Sequence, residues 1–214
     1  CLGFFYEIKD VLANINITVT LLQEQLKAEK TIEIETGMEQ ITSQVLRGRT
    51  QLDKFIRFIR ASDPIIMEIN VNDMLDDLMY FMQKELEFLN IQIIRDYKAQ
   101  VPSVRSDRGK LRQVFQNIVL NAVAAIEKDG VIVLKTCSDN DTVTVMITDN
   151  GPGIRLENLE KIFEPLYSSK PEGTGLGLSI CRDILTKLGG TISVTSKTAE
   201  ETSFIVELPL SIQS

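Results

Sequence analysis

The chain has 214 residues, 43% of them hydrophobic, and a net charge of −7 with an isoelectric point near 4.8. That suffices for a sizeable core in one large domain or two small ones, while the acidic balance repels phosphate backbones and argues against nucleic acid as a partner. Three scattered cysteines (Cys1, Cys137, Cys181) and no histidine argue against a zinc site and fit a reducing compartment. No apolar run approaches the roughly 20 residues of a membrane helix. Because it begins without Met and almost inside a helical pattern, the chain reads as a soluble piece of something longer, with any membrane sensor of the parent outside it.

The residues Phe5, Ile8, Leu12, Ile15, Val19, Leu22 and Leu26 recur at alternating spacings of three and four, which predicts a helix packed on another helix. Residues 29–36 are polar and read as a connection, after which Ile41, Val45, Gly48, Leu52, Phe55 and Ile59 predict a second helix. One antiparallel hairpin cannot bury both seams, so residues 1–62 are expected to pair with a second copy into a four-helix bundle and make a homodimer. The other reading has these helices packing on the rest of the chain.

Asp63-Pro64 ends the second helix, because the residue before a proline is pushed out of helical geometry. Residues 63–67 are expected to be a linker and 68–214 a second domain. There the pattern predicts helices over 71–89, 107–127 and 177–188, the last ended by Gly189-Gly190 in a left-handed cap. Strands are expected over 91–97, 130–136, 142–148, 192–196 and 203–208. The expected class is α+β, with two helices packed on one face of a mixed sheet.

Within that domain Asn117 and Asn121 are one helical turn apart and share a face. An amide oxygen is a hard neutral ligand that Mg²⁺ accepts when phosphates and water supply the other positions. Asn121 has small neighbours (Ala122, Ala124, Ala125) that leave room for a nucleotide, although a polar helix surface would look the same. Asp149 closes a β-rich run and opens the turn Asn150-Gly151-Pro152-Gly153. A carboxylate there can accept the exocyclic amine of adenine, with Gly151 and Gly153 letting the base approach the backbone. An ordinary strand-ending turn is the alternative. Gly173-Thr174-Gly175-Leu176-Gly177 then leads into a helix whose amino end offers free N–H groups to phosphate. The run is not a dinucleotide-binding fingerprint, because a loop precedes it, and no Walker-type lysine follows it. Lys170 reaches toward phosphates from that loop or is simply solvated.

The order is what unites these signals. Asparagine helix, Asp-Gly-x-Gly turn, Phe163-Glu164-Pro165 and glycine-led helix follow one another between Asn117 and Ser179. The arrangement closely resembles the ATP-binding domain of sensor histidine kinases, which share the Bergerat fold with gyrase, Hsp90 and MutL. The resemblance extends over essentially the whole chain, with residues 1–62 in the place of the dimerisation and phosphoacceptor hairpin. Residues 162–170 (Ile-Phe-Glu-Pro-Leu-Tyr-Ser-Ser-Lys) point to the nitrogen-regulator type. The resemblance implies ATP and Mg²⁺ as cofactors, Asn121 on the metal and Asp149 on adenine. It places Asn117, Gly151, Gly153, Lys170, Gly173, Thr174, Gly175, Leu176 and Gly177 around the nucleotide and its lid. It further implies a cytoplasmic site of action and the receiver domain of a response regulator as partner. In the related ATPases the position of Asn117 is an acid that activates water. An amide cannot do that, which favours phosphoryl transfer to protein over steady hydrolysis. Anti-sigma-factor kinases share the pocket but lack a hairpin like residues 1–62.

This chain departs from the family at the acceptor. Tyr6-Glu7-Ile8-Lys9-Asp10-Val11-Leu12 aligns with the family's His-Glu-x-x-Asn-Pro-Leu, so Tyr6 stands at the histidine position. Imidazole attacks through a lone pair that is free near neutral pH, whereas a phenol of ordinary pKa about 10 is almost wholly protonated. Glu7 occupies the place of the family's general base, but deprotonating Tyr6 would cost it about 7 kcal/mol or more. Asp10 replaces the Asn or Thr that positions water for dephosphorylating the regulator, and its charge would repel an aspartyl phosphate. Leu188 stands where many relatives carry another histidine, and Glu201 where they carry glycine. Either Tyr6 is an engineered substitution or the chain is a natural pseudokinase, an ATP-binding module that signals by conformation.

Overall fold

The structure, a computed structural model, describes residues 15, 17–19, 37–45, 48, 65–98, 101–139, 141–165, 167–168, 175–197 and 200–210. The chain divides into two compact units, Cys1–Ser62 and Asp63–Ser214. In the first, the described residues are helical at 15, 17–19, 37–45 and 48, and Ile17, Val19, Met38 and Val45 are exposed. The hairpin itself, its connection over 29–36, and Tyr6, Glu7 and Asp10 lie outside the described residues.

The second unit carries a sheet of five strands in the order β2-β4-β5-β7-β6, comprising β2 (Gln92–Tyr97), β4 (Val131–Ser138), β5 (Thr142–Asp149), β6 (Thr191–Lys197) and β7 (Glu201–Pro209). A separate antiparallel ribbon pairs β1 (Ile66–Ile69) with β3 (Val104–Asp107). β2 runs parallel to β4 and every other neighbouring pair is antiparallel, so the sheet is mixed. The parallel pair requires a crossover, which α2 (Arg108–Ile126) supplies.

Period-two burial decides which face of the sheet is covered. Ile132, Leu134 and Thr136 on β4, Val143, Val145, Ile147 and Asp149 on β5, and Phe204, Val206 and Leu208 on β7 are all buried, in register on one face. Three helices pack on the sheet rather than the two expected: α1 (Val71–Phe88) against β2, α2 against β5, and α3 (Gly177–Lys187) against β6 and α2. Leu75, Leu78, Leu111, Phe115, Ile118 and Leu185 fill the space between them and the sheet.

The helix limits follow from their caps. Asn70 precedes α1 and its side chain accepts from the N–H groups of Asn72 and Asp73. Asp107 does the same for α2 through Lys110 N, at 2.8 Å, so that helix begins one residue later than its pattern suggested. Gly189 adopts φ 75° after α3, the expected left-handed cap. The β1–β3 ribbon has no counterpart in the sequence reading, and β1 begins inside the stretch expected to be a linker.

Candidate functional site

Asn117 and Asn121 project from one rim of α2, both half-buried. The Asn117 amide donates to the carbonyl of Gly177 at 3.3 Å and points at Cys181 Sγ, 3.7 Å away. One side chain therefore ties the asparagine face of α2 to the amino end of α3. Among the described residues none hydrogen-bonds to the Asn121 side chain, which leaves its amide oxygen available as a ligand. Cys181 is fully buried, and burial pushes its thiol up to about 12, against the lowering effect of the Asn117 amide. It is a packing residue, not a nucleophile.

Asp149 ends β5 at 2% exposure, and its Oδ1 accepts the N–H of Gly151 at 2.9 Å, closing an Asx turn. The next residue fixes the turn from the other side, as Asn150 Oδ1 accepts from Val131 N at 2.8 Å. Gly151 is packed so tightly that a Cβ would sit 2.7 Å from Asp149 Oδ1 and 3.2 Å from the Ala125 Cβ of α2. Here glycine is required by close approach, whereas Gly153 is required by its backbone, at φ 73°. The turn leaves through Ile154, whose N–H donates to Ser196 Oγ on β6 at 2.8 Å.

Gly175 adopts φ 63°, Leu176 is buried, and Gly177 begins α3 without a side-chain cap from Leu176, so among the described residues no side-chain oxygen caps its first N–H groups. Phe163, just before the glycine run, is buried against Phe204 edge-to-face at 6.5 Å. Arg182 of α3 lies over the Phe163 ring, 4.4 Å from its centroid. Lys170, Gly173 and Thr174 lie outside the described residues.

The Asn117–Gly177 bond sets α2 against the start of α3, and the close approach of Gly151 to Ala125 sets it against the Asp149 turn, so α2 touches both segments that carry the other expected site residues. Among the described residues no group of three or more Cys, Asp or Glu could hold a metal by itself. A single neutral amide suits a cation held jointly with phosphate oxygens and water. A groove of about 400 Å³ between α1 and β2, lined by Met79, Tyr80, Leu86, Ile91, Ile93 and Arg95 among others, shares no residue with this site.

Sequence reasoning passed over Asp107, Asn150, Ser196 and Thr202. Asp107 carried a signal, a carboxylate just before a helical period. Ser196 and Thr202 carried none, since only the register of β6, β7 and β5 sets Ser196 opposite Thr202 and Thr202 opposite Asp149.

The sensor histidine kinase ZraS of Escherichia coli (strain K12) is 26% identical over 210 residues, 98% of this chain and 45% of ZraS. Sporulation kinase C of Bacillus subtilis (strain 168) is 26% identical over 213 residues, 99% of this chain and 49% of that protein. The chain spans about half the length of these curated relatives. Histidine kinase ThkA, solved in complex with response regulator protein TrrA, superposes at a TM-score of 0.75 with 25% identity, over 95% of this chain and 59% of ThkA. The nucleotide-free catalytic domain of ThkA matches at 32% identity and a TM-score of 0.64, over 69% of this chain and 97% of that domain. Residues 106–212, half of the chain, match the family described as "Histidine kinase-, DNA gyrase B-, and HSP90-like ATPase". On that match, and on a likeness to ThkA that runs over almost the whole catalytic domain, the chain belongs to the histidine kinase-, DNA gyrase B-, and HSP90-like ATPase family.

Proposed function

We propose that this chain is the cytoplasmic core of a two-component sensor histidine kinase, a homodimer through residues 1–62 that binds Mg-ATP in its second unit. The observation that carries the reading is the Asn117–Gly177 hydrogen bond, which joins the asparagine face of α2 to the uncapped start of α3 beside the Asp149 turn. Asp149 accepts the exocyclic amine of adenine, and Gly151 and Gly153 keep the base close to the backbone. The first N–H groups of α3 receive phosphate oxygens, and the family resemblance assigns Lys170, Gly173, Thr174, Gly175 and Leu176 to the nucleotide as well. Asn121 holds Mg²⁺, which when bound neutralises part of the triphosphate charge and orients its oxygens.

Asn117 cannot take a proton from water, so the γ-phosphoryl group is kept for a side chain of the first helix and then for an aspartate on a response regulator. The names of ZraS, sporulation kinase C and ThkA, and the ThkA–TrrA complex, support this assignment. Exposed Ile17, Val19, Met38 and Val45 support pairing of the first units.

A second reading has its own observation. The sequence contains no histidine, so ordinary histidine phosphorylation of this chain does not occur, and the family resemblance sets Tyr6 at the acceptor position. The chain is then either a kinase core silenced by an engineered substitution at Tyr6 or a natural ATP-binding signalling module. Transfer of label from γ-labelled Mg-ATP to this chain, beside Tyr6→His, separates the two. Acid-labile labelling of Tyr6→His alone means that the kinase machinery is intact and Tyr6 silences it. Nucleotide binding by both without labelling means a signalling module. Failure of both to bind Mg-ATP, or steady phosphate release by the unaltered chain, refutes the assignment.

A further inference from the structure

The residues beneath the Asp149 turn form a row across four strands. Ile132 of β4 lies opposite Asp149 of β5, Asp149 opposite Thr202 of β7, and Thr202 opposite Ser196 of β6. The turn leaves the row at Asp149 and returns to it at Ser196. Its near end is fixed by Gly151 N on Asp149 Oδ1 at 2.9 Å, and its far end by Ile154 N on Ser196 Oγ at 2.8 Å. Thr202, 4% exposed, lies in the row between these two anchors.

Ser196 has one proton and two lone pairs, and the structure uses all three. Its hydroxyl donates to the carbonyl of Glu201 at 2.8 Å, and one lone pair accepts Ile154 N–H. The remaining contact, 3.2 Å to Thr202 Oγ1, must then have Thr202 as donor. Ser196 thereby fixes two things at once: where the Gly153–Ile154 backbone lies, and where the Thr202 proton points. With its proton on Ser196, Thr202 Oγ1 has only lone pairs left for the side of Asp149, its partner across β5 and β7. Next to the Asp149 carboxylate this makes an acceptor-rich wall, which suits an exocyclic amine and repels a keto oxygen.

We propose that Ser196 is a positioning residue for base recognition, acting through the Asp149 turn and Thr202 to favour adenine over guanine. The inference rests on the nucleotide-binding reading above. Removing the hydroxyl frees the far end of the turn and lets the Thr202 proton turn back toward the base. The cost falls on recognition of the amine and leaves the phosphate contacts of α3 untouched.

The test is titration of Mg-ATP and, by competition, Mg-GTP on the full chain and on Ser196→Ala and Ser196→Thr, with thermal unfolding of each recorded alongside. Ser196→Ala is expected to weaken Mg-ATP about tenfold, the worth of one or two lost hydrogen bonds, while the weaker Mg-GTP changes by less than about threefold. Ser196→Thr keeps the oxygen on a β-branched side chain suited to a strand and is expected to restore most of the ATP preference. An Ala variant that binds Mg-ATP as the unaltered chain does, or that loses both nucleotides in equal proportion, overturns the proposal. If the unaltered chain binds no Mg-ATP at all, the nucleotide reading itself falls and takes this one with it.

Discussion

Asp107 holds two parts of the second unit together, and its replacement allows the two contributions to be separated. The residue is 8% exposed; Oδ1 accepts Lys110 N at 2.8 Å, and Oδ2 accepts Ile65 N at 2.7 Å, 42 residues earlier in the chain. Loss of an N-cap costs about 1 kcal/mol. Loss of a backbone hydrogen bond to a charged acceptor costs about 1.5–3 kcal/mol when nothing replaces it. Ile65 is 78% exposed, so water recovers part of that second contribution. Asp107→Ala should therefore destabilise by about 2–3 kcal/mol, whereas Asp107→Asn, an equally good cap that has lost the second acceptor oxygen, should cost about 1 kcal/mol. Amide hydrogen exchange resolves the two effects, with Ile65 exchanging faster in both variants and Lys110 faster only in Asp107→Ala. Asn117 lies well beyond the first turn of α2, so nucleotide affinity should change by less than about threefold. A change below about 0.5 kcal/mol in Asp107→Ala, the range of an ordinary surface substitution, would refute the reasoning.

Gly151→Ala should abolish nucleotide binding measured by titration, because its Cβ would sit 2.7 Å from Asp149 Oδ1 and 3.2 Å from Ala125 Cβ. Overpacking of this kind also costs about 1–3 kcal/mol of stability. Native Cys181 should resist alkylation at pH 8 under conditions that label half-buried Cys137, and should become reactive only on unfolding. Because the Cys181 thiol is raised in the folded state from 9.0 to about 12, the unfolded chain loses its proton first. Stability from this group is complete below pH 9 and falls between pH 9 and about 12, by up to about 1.4 kcal/mol per pH unit. The slope of denaturant stability against pH should be shallower in Cys181→Ala. Arg182→Ala removes the cation over Phe163 and should cost about 0.5–1 kcal/mol, an effect that Arg182→Lys largely restores in the same unfolding assay.

Legibility in the sequence followed the range of the interactions concerned. α1, α2 and α3 were readable because each buries a stripe at helical spacing, and Asn117 and Asn121 could be placed on one face from that spacing alone. The turn after Asp149 was readable because a β-rich run ends there and two glycines follow it. The β1–β3 ribbon was not readable: its strands are four residues each, they lie far apart in sequence, and Ile65, Ile66 and Met67 are exposed rather than alternating. The third helix of the layer had been found as a helix but not counted against the sheet. The Ile132–Asp149–Thr202–Ser196 row depends on the register of three strand pairs, and nothing in the local sequence of Ser196 encodes its neighbours.

The Asn117–Gly177 bond has a consequence for how this chain's chemistry can change. Resemblance to the water-using ATPases implies that one substitution, Asn117 to an acid, separates the two reaction types. In this structure the same amide is a donor to the Gly177 carbonyl and faces Cys181 Sγ. A carboxylate there would set oxygen against oxygen at the start of α3, so the change that gives a base also loosens the helix to which the proposed function assigns the phosphates. On the proposed function, the shortest mutational route from phosphotransfer to hydrolysis therefore passes through a poor binder, and a viable lineage needs a second change that re-anchors α3 first.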